Sequence, residues 1–176
     1  MRLNIDIKII WSNEWLIEED LYVPNEPELE ESTRGLYVIY TDDGEICYIG
    51  QTYDQTFRDR IMQHRNDEVG NCLREILEED YDLFLKVGHF ELISYSRISR
   101  ELLDDTERLF IYALEPTCNI LGIKSFTGRD LLVKNIRARD ILPRYLWSLW
   151  INGYWEIDYS DYKEDIPEAF WLEEED

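Results

Sequence analysis

Two short apolar runs, LYVIYT (36–41) and ICYIGQT (46–52), are separated by Asp42-Asp43-Gly44-Glu45. β-Branched and aromatic residues fill both runs, and Asp-Gly accepts the positive φ that a tight reversal requires. The chain is therefore expected to double back here as an antiparallel hairpin, and the elements that follow must cover it. FRDRIMQHR (57–65) is helical in composition, and EVGNCLREILEED (68–80) places Val69, Leu73, Ile76 and Leu77 on one helical face. HFELISYS (89–96) reads as a third strand. In SRELLDDTERLFIYALEP (99–116), Leu102, Leu103, Leu109, Phe110 and Ala113 recur at helical spacing until Pro116 ends the element. The order β-β-α-α-β-α predicts an α+β domain, a small three-stranded antiparallel sheet flanked by helices.

This block spans residues 34–121, with an acidic N-terminal extension over 1–33 and a C-terminal extension over 122–176. Residues 4–11 alternate as a strand would, 13–20 suit a short helix, and the proline-containing 23–33 reads as a loop. Apolar residues make up 44% of the 176 and aromatics 14%, too much for a disordered acidic protein. No apolar run approaches the ~20 residues of a membrane span. Asp6, Lys8 and Glu14 interrupt the N-terminus, so it is not read as a signal peptide. These features predict a soluble, cytoplasmic protein with no membrane partner. Cys47, Cys72 and Cys118 have no zinc-ligand spacing and are expected to be reduced core thiols.

A net charge of -21 argues against non-specific nucleic-acid binding on average, but the charge is unevenly placed. Residues 1–33 carry -7 and 155–176 carry -9, whereas 124–144 reverse sign to +4. Lys124, Arg129, Lys134, Arg137, Arg139 and Arg144 supply that basic island. It reads either as a nucleic-acid-contacting extension or as an amphipathic helix with Leu131, Leu132, Ile136 and Ile141 as its buried stripe. The aromatic, acidic tail (145–176) reads as packing back onto the domain, as a cover competing for the basic site, or as a surface for a basic partner.

Several polar residues of the central block lack an obvious packing role. Tyr37 and Tyr48 lie on the two hairpin strands, Gly50 ends the second, and Arg60 and His64 are one helical turn apart. Glu107 sits within the amphipathic helix, and Asn119 follows its proline stop. Singly, each has an ordinary structural reading. Together, Gly35-Leu36-Tyr37 and Tyr48-Ile49-Gly50, then Arg60 with His64, Glu107, and Pro116 before Asn119, resemble the ordered signature of the GIY-YIG nuclease superfamily over about 35–120. Leu36 replaces the usual Ile, and neither flank resembles anything that would carry target recognition.

The resemblance implies a divalent-metal-dependent endonuclease acting on DNA, with Glu107 holding Mg²⁺ (or Mn²⁺) and Arg60 clamping the phosphate. Tyr37 is implied as general base or water positioner, with His64 as an alternative proton relay. Tyr48 would orient water or phosphate, and Asn119 would brace the site. Gly50, Arg58 and Arg65 join Lys124, Arg129, Lys134, Arg137 and Arg139 as candidate substrate contacts. A homodimer would allow both strands to be cut. The competing expectation, drawn from the net charge, is an acidic DNA mimic or a module for a basic protein partner on the same scaffold.

Overall fold

The computed structural model describes residues 1–31, 34–119 and 125–174. In chain order the elements are β1 (Arg2–Leu3), β2 (Ile7–Trp11), β3 (Trp15–Ile17), α1 (Pro27–Glu30), β4 (Gly35–Thr41), β5 (Ile46–Thr52), α2 (Phe57–Met62) and α3 (Glu68–Glu78). They continue as β6 (Leu83–Leu92), α4 (Arg100–Leu114), β7 (Leu131–Ile136), β8 (Tyr145–Ile151), β9 (Tyr154–Ser160) and β10 (Trp171–Leu172).

The expected hairpin is β4–β5. Gly44, at φ 87°, makes its turn, and its N–H donates to the Thr41 carbonyl at 2.9 Å. Helix starts are capped as their sequences allow: Thr56 caps α2, Asp67 caps α3 and Ser99 caps α4. Helix α4 stops at Glu115, which adopts φ 49° immediately before Pro116.

The sheet is larger than the three strands expected. Eight strands join, in the order β5-β4-β6-β2-β7-β8-β9 with β3 also on β6, and the α+β hairpin core is its first three members. Strand β6 occupies 83–92 rather than 89–96; its first half pairs with β3 and its second with β2. The segment 13–20 is not a helix but β3 followed by a single 3-10 turn over Glu19–Leu21. The expected loop contains α1, whose Leu29 is fully buried.

The basic island is not a helix either. Strand β7 lies parallel to β2 and antiparallel to β8, so Leu131, Leu132 and Val133 are all buried in succession. Consecutive apolar residues suit a strand covered on both faces as well as a helix, which is why periodicity misreads it. Beyond it, Asn152 and Gly153 take positive φ and turn β8 into β9. The tail aromatics divide: Trp147 and Phe170 are buried against Leu132 and Tyr145, while Trp150 and Tyr154 are exposed.

Two apolar layers cover the β4–β5–β6 core. Leu36, Val38 and Ile49 face α4 through Leu102, Leu103, Leu109 and Phe110. Tyr37, Ile39, Cys47 and Tyr48 face α2 and α3 through Phe57, Ile61 and Leu73. Cys72 of α3 and Cys118 form a disulfide, with Cα atoms 5.8 Å apart, so only Cys47 is a free, buried thiol. The expectation of three reduced thiols fails because the fold brings α3 against the chain leaving α4, a proximity that 46 residues of separation conceal. Among the described residues no helix is long and apolar enough to cross a membrane.

Candidate active site

Strand β5 stands at the end of the sheet, and the candidate residues gather around it. Tyr37 of β4 lies directly opposite Gly50 of β5, and Ile39 lies opposite Tyr48. Tyr37 and Tyr48 are therefore diagonal neighbours on one face, with ring centroids 5.9 Å apart. What approaches Gly50 closely is the Tyr37 phenol: a Cβ at position 50 would come within 2.3 Å of the Tyr37 ring and hydroxyl.

The 3-10 turn Gln63–Asn66 after α2 brings His64 onto the same face, 2% exposed. Its Nε2 is 2.6 Å from the Tyr37 hydroxyl, and its ring stands edge-on to Tyr48 at 4.8 Å. Its Nδ1 is 2.9 Å from Asp67 Oδ2.

On the other side of the β5 edge, Glu107 of α4 accepts a hydrogen bond from the Gln51 amide at 2.8 Å. The same amide nitrogen donates to Asp104 at 2.5 Å. Arg60 and Glu107 line one cleft of about 270 Å³ together with Gln51, Tyr53, Asp54 and Arg100. Arg60 makes no ion pair among the described residues; its guanidinium donates to Gln63 Oε1 at 3.2 Å. Asn119, buried, accepts from the Ile49 N–H and donates to the Ile49 carbonyl, both at 2.9 Å.

The electrostatics follow from this burial. Desolvation raises the Tyr37 phenol well above its ordinary value, the neighbouring Tyr48 adds to the rise, and Arg60 opposes it. Tyr48 is raised for the same leading reason, with Glu107 adding and Arg60 opposing. Burial lowers His64, and the Asp67 carboxylate pulls the other way. Burial pushes Glu107 up to about 7, against the hydrogen bond from Gln51.

The remaining candidates lie elsewhere. Arg58 sits by Glu30 at 3.6 Å and over the Tyr22 ring, and Arg65 pairs with Asp20. Arg129 pairs with Asp105 at 2.7 Å. Lys134 lies 6.0 Å over the Tyr145 ring, the Arg137 carbonyl accepts from Lys86, and Arg139 lines a shallow hollow with Tyr159. Lys124 is outside the described residues. Sequence reasoning missed Gln51, Asp67, Asp104 and the stack in which Arg34 and Arg100 lie 3.8 and 4.3 Å from the Tyr53 ring centroid. Gln51 directly follows Gly50, and Asp67 is a helix cap three residues after His64, so spacing alone could have flagged both.

Comparison with known families identifies the domain that carries these residues. Residues 34–116 match the family model of the GIY-YIG catalytic domain. They form a GIY-YIG domain. The match holds both tyrosine triplets, Arg60, His64 and Glu107, and stops short of Asn119. This family consists of endonucleases that generally use divalent metals, and the GIY-YIG match points to a nuclease-type function. No curated protein and no solved structure matches the chain.

Proposed function

We propose that the chain is a divalent-metal-dependent endonuclease that hydrolyses DNA phosphodiester bonds at the β5-edge cleft. The observation that carries this reading is the convergence of Arg60 and Glu107 on one cleft, beside the 2.6 Å contact of Tyr37 with His64. Hydrolysis needs an activated water, charge neutralisation at phosphorus and a proton for the leaving oxygen.

The side chains fit a hard cation. Glu107 and Asp104 both hold the Gln51 amide, while Gln51 Oε1 is buried with no hydrogen-bond partner. The two carboxylates, within hydrogen-bond reach of one amide nitrogen, supply the hard oxygen donors that suit Mg²⁺ or Mn²⁺. Glu107 would hold the ion, with Asp104 and Gln51 beside it, and the bound ion would offset negative charge on the phosphoryl oxygens.

Arg60 offers its planar fork to two phosphoryl oxygens as charge develops there. Tyr48, 8% exposed, lies nearer solvent than the fully buried Tyr37. The water's proton passes to the tyrosine pair, and Tyr37 hands its own to His64 Nε2. Asn119 holds Ile49, and with it Tyr48 and Gly50, in place. Beside the cleft, Arg34 and Arg100 stack on the Tyr53 ring; Arg100 is paired with Asp54 at 2.8 Å, and Arg34, without an ion pair among the described residues, brings the positive charge that an acidic protein needs if DNA is to approach.

The deciding experiment is cleavage of supercoiled plasmid by the wild type and Glu107→Ala, with Mg²⁺ or Mn²⁺ and with chelator. Nicking that requires both metal and Glu107 supports the reading. No cleavage by folded wild type at low salt, on duplex, branched and single-stranded DNA, overturns it. One observation favours the alternative of a module for a basic partner: a separate groove of about 910 Å³ is lined by Glu18, Glu19, Asp20, Glu78, Asp80 and Asp82 around Leu16, Ile17 and Leu77, with Arg74 paired to Asp20 as the one cation among its lining residues.

A further inference from the structure

We propose that Asp67 is a positioning residue that fixes the tautomer of His64, so that Nε2 is free to accept the Tyr37 proton. This rests on the nuclease reading of the site. Asp67 is the N-cap of the eleven-residue α3, and its two oxygens have separate tasks. Oδ1 accepts from the Gly70 N–H at 3.0 Å, which anchors the side chain to the helix start. Oδ2 lies 2.9 Å from His64 Nδ1.

A carboxylate can only accept, so Nδ1 must carry the hydrogen and donate it. In a neutral imidazole the lone pair then sits on Nε2, where the Tyr37 O–H donates to it at 2.6 Å. Four titratable or charged groups face this ring: Asp67, Tyr37 of β4, Tyr48 of β5 and Arg60 of α2. Burial and Arg60 disfavour the imidazolium at rest, and Asp67 favours it. Burial works against the charge on Asp67 as well, but the Gly70 N–H and His64 together hold its carboxyl below the ordinary range.

The close approach of turn and helix has its own requirement. A Cβ at Gly70 would meet the His64 carbonyl oxygen at 1.8 Å, so only glycine lets α3 start this close to the histidine. In the reaction, the Tyr37 O–H bond breaks as its proton moves to Nε2. The Tyr37 oxygen takes the proton released from the attacking water, directly or through Tyr48. The imidazolium formed is stabilised by the Asp67 carboxylate it already touches.

Asp67→Asn tests this, because Asn caps a helix as well as Asp does. With its oxygen kept on Gly70, its NH₂ faces Nδ1, which must then accept; Nε2 becomes N–H and can no longer take the Tyr37 proton. The chain has two histidines, and His89→Gln leaves His64 alone for imidazole ¹⁵N NMR. The expected result is an unprotonated Nε2 in the Asp67 protein and an unprotonated Nδ1 in Asp67→Asn. The rate of plasmid nicking should fall by about 100- to 10,000-fold, the range expected when a positioned acid–base group is lost. DNA affinity and Tm should stay unchanged. Asp67→Ser, which caps but cannot reach the ring, should lose less activity than Asp67→Asn.

The same tautomer in both proteins overturns the proposal, as does a switched tautomer with an unchanged rate. If the wild type cleaves nothing, the nuclease reading fails, and the NMR result still decides whether Asp67 sets the tautomer.

Discussion

Glu107 should weaken the metal-free fold, and Glu107→Gln should reverse that. Burial raises its carboxyl from an ordinary 4.5 to about 7. At ~1.4 kcal/mol per pKa unit this is at most roughly 3 kcal/mol, and about 2 kcal/mol after allowing for the partial exposure of the side chain. The sign follows from proton counting. Below the unfolded value both states are protonated and the group contributes nothing. Between the two values only the unfolded chain is ionised, so stability falls as pH rises; above about 7 the full cost is present and constant. Gln keeps the shape and can still accept from Gln51. Thermal unfolding in chelator at pH 4.5, 6, 7 and 8 should show Glu107→Gln close to wild type at the lowest pH, where the unfolded carboxyl is only half ionised. By pH 8 it should melt about 4–8 °C higher, with the gap opening between those limits. Added Mg²⁺ should raise the wild type and not the variant. A gap independent of pH, or a variant less stable than wild type at pH 8, would refute the reasoning.

The disulfide closes a loop of 46 residues, for which the chain-entropy relation gives about 4 kcal/mol; thiol reduction or Cys72→Ser with Cys118→Ser should lower Tm by roughly that equivalent. Thiol titration should find one group in the denatured, unreduced chain and three after reduction. Arg100→Ala removes a cleft-wall cation that is paired with Asp54 at 2.8 Å, so DNA affinity in chelator should fall and the log–log salt slope should shrink by less than about 1. Fluorescence anisotropy across a salt series checks this; an unchanged slope would place Arg100 outside the DNA path.

The hairpin and the proline stop of α4 were readable because each depends on local chemistry: Asp-Gly at the turn and Pro116 at the end. Grouping Tyr37, Tyr48, Arg60, His64 and Glu107 was possible because their types and order resemble a family signature. What stayed hidden depends on long-range partners. Strand β7 looks helical until β2 and β8 cover both its faces. The basic island looked free, yet Arg129 is held by Asp105, and Arg65, in the α2–α3 turn, is held by Asp20. Asp67 reads as an ordinary cap until the turn before it folds His64 back onto its second oxygen.

Asn119 contacts both backbone groups of Ile49 through one amide, which is what an adjoining strand would do at that position. With the Cys118 N–H on the Cys47 carbonyl at 2.7 Å, residues 118–119 act as a short selvedge along the outermost strand. An edge with vacant backbone groups invites another chain to add itself to the sheet. Here that invitation is withdrawn at the residue between Tyr48 and Gly50. Strand addition at that stretch of β5 is blocked, so the selvedge keeps a foreign peptide backbone away from the strand that carries Tyr48 and Gly50.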